Sequence, residues 1–277
     1  MKPSLKMRVL TAVIGIPVII LVLLAPSWVM LAAVILCSLI GLFEFYGAVE
    51  LRKTKPLLCV LGYIGAAAMP LCVFLEPKQI LTCAFVYMII LFSVMLMSHR
   101  KIMFTDISLT VMSLIYIPFL LAHILFIRRM EFGNIIVWLV FVGAFMTDSC
   151  AFFAGKALGG HKLCPDISPK KTVEGAIGGV VGCGLAFLLF AFIVNTALGR
   201  WLDGYTMSYL RMFILGLISA VLAQIGDLTA SLIKRQFEIK DFGNLFPGHG
   251  GMLDRCDSIV LVAPTIFLFA SQISLFI

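Results

Sequence analysis

Apolar residues run along this chain in long blocks, and polar residues gather between them. Nine blocks of roughly bilayer length stand out, over residues 9–25, 28–47, 57–75, 79–97, 107–127, 134–155, 175–198, 209–233 and 257–276. A spanning helix needs about 20 apolar residues, whereas a barrel strand would alternate apolar and polar positions over about ten. The blocks do not alternate, and a helix satisfies its backbone groups internally. The pattern predicts an all-α, polytopic integral membrane protein with about nine transmembrane helices. Pro17, Pro70 and Pro118 fall inside blocks and predict kinks rather than ends. Glu44 is the one acid inside the second block, close to its end, and is expected to snorkel to the interface, with a buried functional role as the minority reading.

Composition sharpens this picture. The mean hydropathy is +1.11, with 62% hydrophobic residues against 13% charged, which excludes an ordinary soluble domain. Lys2, Lys6 and Arg8 precede the first block as in a secretory signal. Leu23 and Ala25 break the small-x-small cleavage pattern, however, and Pro26 would follow the cut, so a retained span is expected. Eight cysteines are scattered without a C-x-x-C pair, and the four histidines do not join them. Neither a zinc site nor a disulfide framework is expected.

The net charge is +7, but its distribution matters more. With the N-terminus inside, sixteen of the 21 basic residues face the cytoplasm, leaving Lys78, Arg128, Arg129, Arg200 and Arg211 outside. The positive-inside rule thus predicts N-terminus in and C-terminus out. The pair Arg128-Arg129 is the main exception. The cations form no continuous stripe, so no nucleic-acid partner is expected. Residues 1–130, spans 1–5, look like scaffold. Residues 131–277, spans 6–9 with their cytoplasmic loops, carry the chemistry.

Span 6 ends in M-T-D-S-C-A-F-F-A-G-K, where Asp148, Phe152 and Lys156 share one helix face. The acid and the base either pair or line a polar cavity. The next connection carries S-P-K-K-T-V-E-G, with Ser168, Lys170, Lys171 and Glu174. Lysines alone would be topology determinants, but this string opens onto a helix N-terminus, which suits an anion. Gly178, Gly182 and Ala186 then form a small-residue stripe, a close-packing signature within or between subunits.

Gln224, Asp227, Ser231 and Arg235 fall on one face of span 8. A carboxylate such as Asp227 inside a span requires a cation beside it, a basic side chain or a metal. From Asp227 onward the chain is unusually polar, with Lys234, Arg235, Lys240, Asp241, His249, Asp254, Arg255 and Asp257 in close succession. Gly248, Gly250 and Gly251 permit close backbone approach to a ligand. Arg255 can bind phosphate bidentately. Acidic oxygens, bases and a glycine-rich turn describe a site for Mg²⁺ and polyphosphate. Asp241 could instead pair with Lys240 or organise the loop. His249 could touch phosphate or cap the turn. Asp257 could pair with Arg255 or Lys234.

Residues 231–257, S-L-I-K-R-Q-F-E-I-K-D-F-G-N-L-F-P-G-H-G-G-M-L-D-R-C-D, resemble the signature of the phosphatidate cytidylyltransferase (CDP-diacylglycerol synthase) family. The strings D-S-C-A-F-F-A-G-K and S-P-K-K-T-V-E-G are also similar to motifs of that family. Phe152 stands near a usual tyrosine, and Val173 near a usual tryptophan or similar bulk. The motifs cover residues 148–257, and the first 130 residues resemble the family only in being apolar spans. The resemblance implies transfer of CMP from CTP to phosphatidate with Mg²⁺, leaving open a second cation. It also implies a homodimer in a bacterial plasma (inner) membrane, with the site facing the cytoplasm. Asp227 and Asp254 are then candidate metal ligands, and Lys171, Lys240 and Asp241 candidate catalytic residues. Lys170, Lys234, Arg235 and Arg255 would hold phosphates. Asp148, Lys156, Ser168, Glu174, Ser231, Gly248, His249, Gly250, Gly251 and Asp257 would complete the substrate site. A transporter of an anionic substrate is the rival reading. Against it, the polar residues collect at one membrane face and no inverted repeat is visible. A CDP-alcohol phosphotransferase would carry a D-G-x-x-A-R string, which is absent.

Overall fold

The computed structural model describes residues 5–199, 202, 204–246, 248 and 250–277, with the side chains of residues 5–12 and 198 left aside. Lys2, Arg200, Pro247 and His249 lie outside the described residues, as do the side chains of Lys6 and Arg8. The protein is an all-α, multi-pass membrane protein. Among the described residues, seven helical segments are long and apolar enough to cross a bilayer. The chain divides into two compact units, residues 1–134 with 236–256, and residues 135–235 with 257–277.

The first unit holds α1 (Leu5–Leu24), α2 (Ser27–Ala48), α3 (Leu51–Thr54), α4 (Pro56–Leu75), α5 (Ile80–Met97), α6 (Phe104–Leu114) and α7 (Leu120–Arg128). Pro56 opens α4, where its missing N–H costs nothing. Pro118 sits in a π-helical turn, Ile115–Phe119, that joins α6 to α7. The expected kink is thus absorbed by a local change of helix type. Helices α2 and α4 approach closely because Gly62 leaves room for Tyr46. The Tyr46 hydroxyl accepts from the buried Ser113 hydroxyl at 3.1 Å. Lys55 pairs with Asp106 at 3.0 Å. Helix α5 buries only Leu91 fully, so its apolar surface is left for lipid.

The Arg128-Arg129 pair has a structural task. Arg128 donates to the carbonyls of Leu23 and Ala25 at the end of α1, both at 2.9 Å. Arg129 donates to the carbonyl of Phe74 near the end of α4. Terminal carbonyls lack helical partners and carry the negative end of the macrodipole, so two guanidiniums satisfy both demands.

The second unit holds half of α8 (Gly133–Ile136), α9 (Trp138–Leu158), a hairpin of β1 (Lys162–Cys164) and β2 (Ser168–Thr172), α10 (Val173–Ile193) and all but the last residue of α11 (Tyr209–Gln236). A short helix in the first unit, α12 (Leu253–Cys256), precedes α13 (Ile259–Gln272) of the second. The small-residue stripe packs inside the chain. A side chain at Gly178 would strike Ala154, and one at Gly182 would strike Cys150, both on α9. The ninth expected span differs in form. Helix α13 has 14 residues, about 21 Å at 1.5 Å per residue. The tail then turns extended, and Thr206 and Ile277 exchange two backbone hydrogen bonds at 2.9 Å.

Candidate functional site

The site grows from the polar ends of three apolar helices in the second unit. Asp148, Phe152 and Lys156, spaced by four on α9, line one cavity of about 440 Å³. Asp148 lies ten residues from the end of α9, about 15 Å along its axis. The cavity's other walls come from the hairpin, the first turn of α10 and the last third of α11, through Lys170, Lys171, Thr172, Gln224 and Asp227.

The hairpin is the element that the sequence did not announce. Cys164-Pro165-Asp166-Ile167 forms a turn closed by Ile167 N–H to the Cys164 carbonyl at 3.2 Å, with proline at its favoured second position. The strands run antiparallel, with Lys162 opposite Thr172 and Cys164 opposite Ser168. Thr172 then caps α10, its hydroxyl accepting from Gly175 N–H at 3.1 Å. Glu174 accepts from the backbone N–H of His161 and pairs with its Nδ1 at 2.7 Å. Glu174 therefore clamps the base of the hairpin. Ser168 stays in β2 and does not line the cavity.

The polar face of α11 docks along this assembly as its helical period requires. Gln224 donates to the Ala176 carbonyl at 3.0 Å. Asp227 Oδ2 meets Lys171 Nζ at 2.5 Å, with the two side chains only about a quarter exposed. The Ser231 hydroxyl lies 3.4 Å from Asp227 Oδ1, and Arg235 donates to the Ile167 carbonyl at 3.3 Å. The cation required beside Asp227 is thus the Lys171 ammonium.

A further acid lies close by. Asp257 lies in the turn ahead of α13, outside the spanning helices, and Ser258 N–H donates to it at 2.8 Å. Burial, then the nearby charges of Asp227 and Asp148, push its carboxyl up to about 7, with Lys234 opposing. Lys156 and Lys170 are exposed at the cavity and form no ion pair with a described residue. Among the described residues, no three His, Cys, Asp or Glu side chains converge enough to hold a metal ion unaided. Mg²⁺ commonly takes only one or two carboxylates, with water and substrate phosphates filling its shell. The oxygen donors at Asp227, where neighbouring carboxylates repel one another, fit such an ion.

The glycine-rich loop folds within the first unit around two buried carboxylates. Asp254 is 5% exposed, and its Oδ2 accepts from Phe242 N–H and Gly251 N–H, each at 2.9 Å. Gly248 and Gly250 have φ of +82° and +85°, a region that favours glycine. Lys240, Asp241 and Arg255 are exposed. The second carboxylate is Glu44, which does not snorkel. It is 6% exposed and accepts from Met252 N–H and Leu253 N–H at 2.9 Å each. Sequence reasoning missed it because acids near span ends usually face the interface.

The sequence model of the cytidylyltransferase family matches residues 6–273. A phosphatidate cytidylyltransferase of Rickettsia bellii is 40% identical over 171 residues, covering 62% of this chain and 71% of its own. One from Bacillus subtilis is 29% identical over 282 residues, covering 98% of this chain and 99% of its own. One from Staphylococcus saprophyticus is 31% identical over 279 residues, covering 97% and 100%. With the match running through nearly every helix described above, the chain belongs to the cytidylyltransferase family.

Proposed function

We propose that the protein is a phosphatidate cytidylyltransferase. A phosphate oxygen of phosphatidate attacks the α-phosphorus of CTP. A new P–O–P linkage forms, the bond from the α-phosphorus to the bridging oxygen breaks, and pyrophosphate leaves with CDP-diacylglycerol as the lipid product. The observation that carries the proposal is the cavity at the ends of apolar helices, where Lys156 and Lys170 stand beside the Lys171–Asp227 pair. All the reacting groups are anions, so the reaction needs neutralisation and alignment more than a protein nucleophile.

In this reading Lys156 and Lys170 receive phosphates, and Lys171 orients Asp227. Ser231 and Gln224 fix the face of α11 on which Asp227 sits. Asp227 and Asp254 are the proposed Mg²⁺ ligands. Asp254 gives its Oδ2 to the loop backbone, and a carboxylate has about four lone-pair sites. Bound Mg²⁺ supplies Lewis-acid neutralisation of the polyphosphate. Lys240 and Arg255, exposed on the glycine-rich loop, are further proposed phosphate contacts.

We place the site at the cytoplasmic face of a bacterial inner membrane, where CTP is available and where the basic loops point. The Arg128-Arg129 exception counts for less once both side chains serve helix-end carbonyls. We also propose a homodimer. The test is purified protein in detergent with phosphatidate, labelled CTP and Mg²⁺, following lipid-soluble label. Folded protein that makes no CDP-lipid refutes the proposal, and activity that survives complete chelation of divalent ions removes Mg²⁺ from it.

A further inference from the structure

The glycine-rich loop draws on side chains to satisfy its backbone. Its described residues between Phe242 and Met252 form no helix or strand beyond a single Phe246–Gly250 bridge, and the four-residue α12 leaves its first N–H groups without helical carbonyls. Four of these N–H groups, at Phe242, Gly251, Met252 and Leu253, are taken by two carboxylates. One belongs to the loop's own α12. The other, Glu44, comes from α2, more than 200 positions earlier in the chain. Gly243 and Gly251 close around it, since a side-chain carbon at either position would collide with the Glu44 carboxylate. Gly41, three residues before Glu44, leaves room for Ile117 and Leu253 against α2.

We infer that Glu44 is a positioning residue for the reaction: it is the fixed anion around which the glycine-rich loop is built. This rests on the phosphatidate cytidylyltransferase reading, because that reading gives the loop its substrate contacts. The two hydrogen bonds are charge-assisted and converge from adjacent N–H groups. A glutamine cannot replace them, because its amide offers one acceptor oxygen and turns N–H donors toward the second backbone N–H. Helix α2 thereby sets where residues 250 to 255 sit, and Glu44 itself touches no substrate.

The test compares Glu44→Gln with wild type by thermal unfolding, by hydrogen exchange of the peptide containing Met252 and Leu253, and by steady-state kinetics. The expected result is a modestly lower unfolding temperature, at least tenfold faster exchange confined to that peptide, and kcat/KM for CTP lower by about 100-fold. Gly243→Ala provides a second route, pressing on the same carboxylate from the loop. It should reproduce the exchange defect in otherwise wild-type protein and add nothing to it in a Glu44→Ala background. Wild-type exchange at 252–253 in both variants overturns the inference. So does faster exchange with wild-type kcat/KM, which would leave Glu44 a purely structural role. If wild-type protein makes no CDP-lipid, the functional reading falls by itself, and the exchange data still decide whether Glu44 holds the loop.

Discussion

Removing either member of the Lys171–Asp227 pair should give opposite rankings for stability and activity. The pair is close, at 2.5 Å, and each side chain is about a quarter exposed. Breaking a fully buried pair costs about 3–5 kcal/mol, and exposed pairs contribute about 0–1. A value of about 2 kcal/mol suits this intermediate burial. The surroundings make the two deletions unequal. Lys171→Ala strands Asp227 near Asp148 and Asp257, the second of which is held protonated up to about 7 by burial first and by the charges of Asp227 and Asp148 after it. Asp227→Asn strands an ammonium that still sees those two acids. Lys171→Ala should therefore cost the full 2 kcal/mol, about 4–8 °C in unfolding temperature by the usual scaling for chains of this size, and Asp227→Asn clearly less. Activity should rank the other way. Loss of one preorganised group that stabilises charge costs about 10²–10³-fold, and Asp227→Asn should meet or exceed that. The double variant should recover most of the stability and none of the activity. Thermal unfolding in detergent and CDP-lipid formation are measured on all four proteins. A larger stability loss for Asp227→Asn than for Lys171→Ala, or a double variant at the sum of the two singles, refutes this electrostatic account.

Three further outcomes follow from other parts of the molecule. Gly182→Leu should destabilise the second unit by about 1–3 kcal/mol or more through overpacking against Cys150, read as a lower unfolding temperature; a neutral effect would mean that α9 and α10 are not seated on this stripe. Arg128→Ala should cost about 1–3 kcal/mol by leaving the Leu23 and Ala25 carbonyls without their donor, again measured by thermal unfolding, with Arg128→Lys recovering only part because an ammonium lacks the planar fork. In metal-free protein Asp257 binds its proton more tightly folded than unfolded, so its contribution to stability is complete below about pH 4 and is lost as the pH rises through about 7. Mg²⁺ favours the ionised form, so its apparent affinity should rise between pH 6 and 8 with proton release, and Asp257→Asn should flatten that rise in a calorimetric titration.

Much of the candidate site was legible because helical period is a strong signal. Asp148, Phe152 and Lys156 had to share a face of α9, and Gln224, Asp227, Ser231 and Arg235 a face of α11. The structure sets both faces on one hairpin-covered cavity. Asp227 needed a cation, but nothing in the spacing selected Lys171 over its neighbours; that choice depends on β2, whose short, proline-containing strand has no alternating pattern to read. The glycine stripe on α10 announced a close contact without naming its partner, because a helix surface does not encode what meets it. Glu44 and Arg128 were read incompletely for a common reason. Glu44 was judged by its depth in a span and Arg128 by its side of the membrane, and each binds backbone groups far away in sequence that a span-by-span reading never considers.

Those two residues bear on how charge is sited in a membrane enzyme. An ionised group near a bilayer is stable when hydrogen bonds or opposite charge replace its water. A helix needs neither, since its backbone is self-satisfied, but the places where helices stop do. Arg128 and Arg129 meet carbonyls at helix ends, and Glu44 and Asp254 meet N–H groups in an irregular loop, so all four compensate the cost of interrupting helical structure. The acids around the cavity are different. Asp227 takes one ammonium at 2.5 Å, and Asp257 lies in a field set by Asp227 and Asp148 as well as by burial. The same cavity holds the ammonium groups of Lys156, Lys170 and Lys171, so acids and bases stand together where no backbone group requires either. That juxtaposition of acids and bases, rather than the number of acidic residues, is the physical reason for proposing that the second unit's cavity takes phosphates together with a divalent cation.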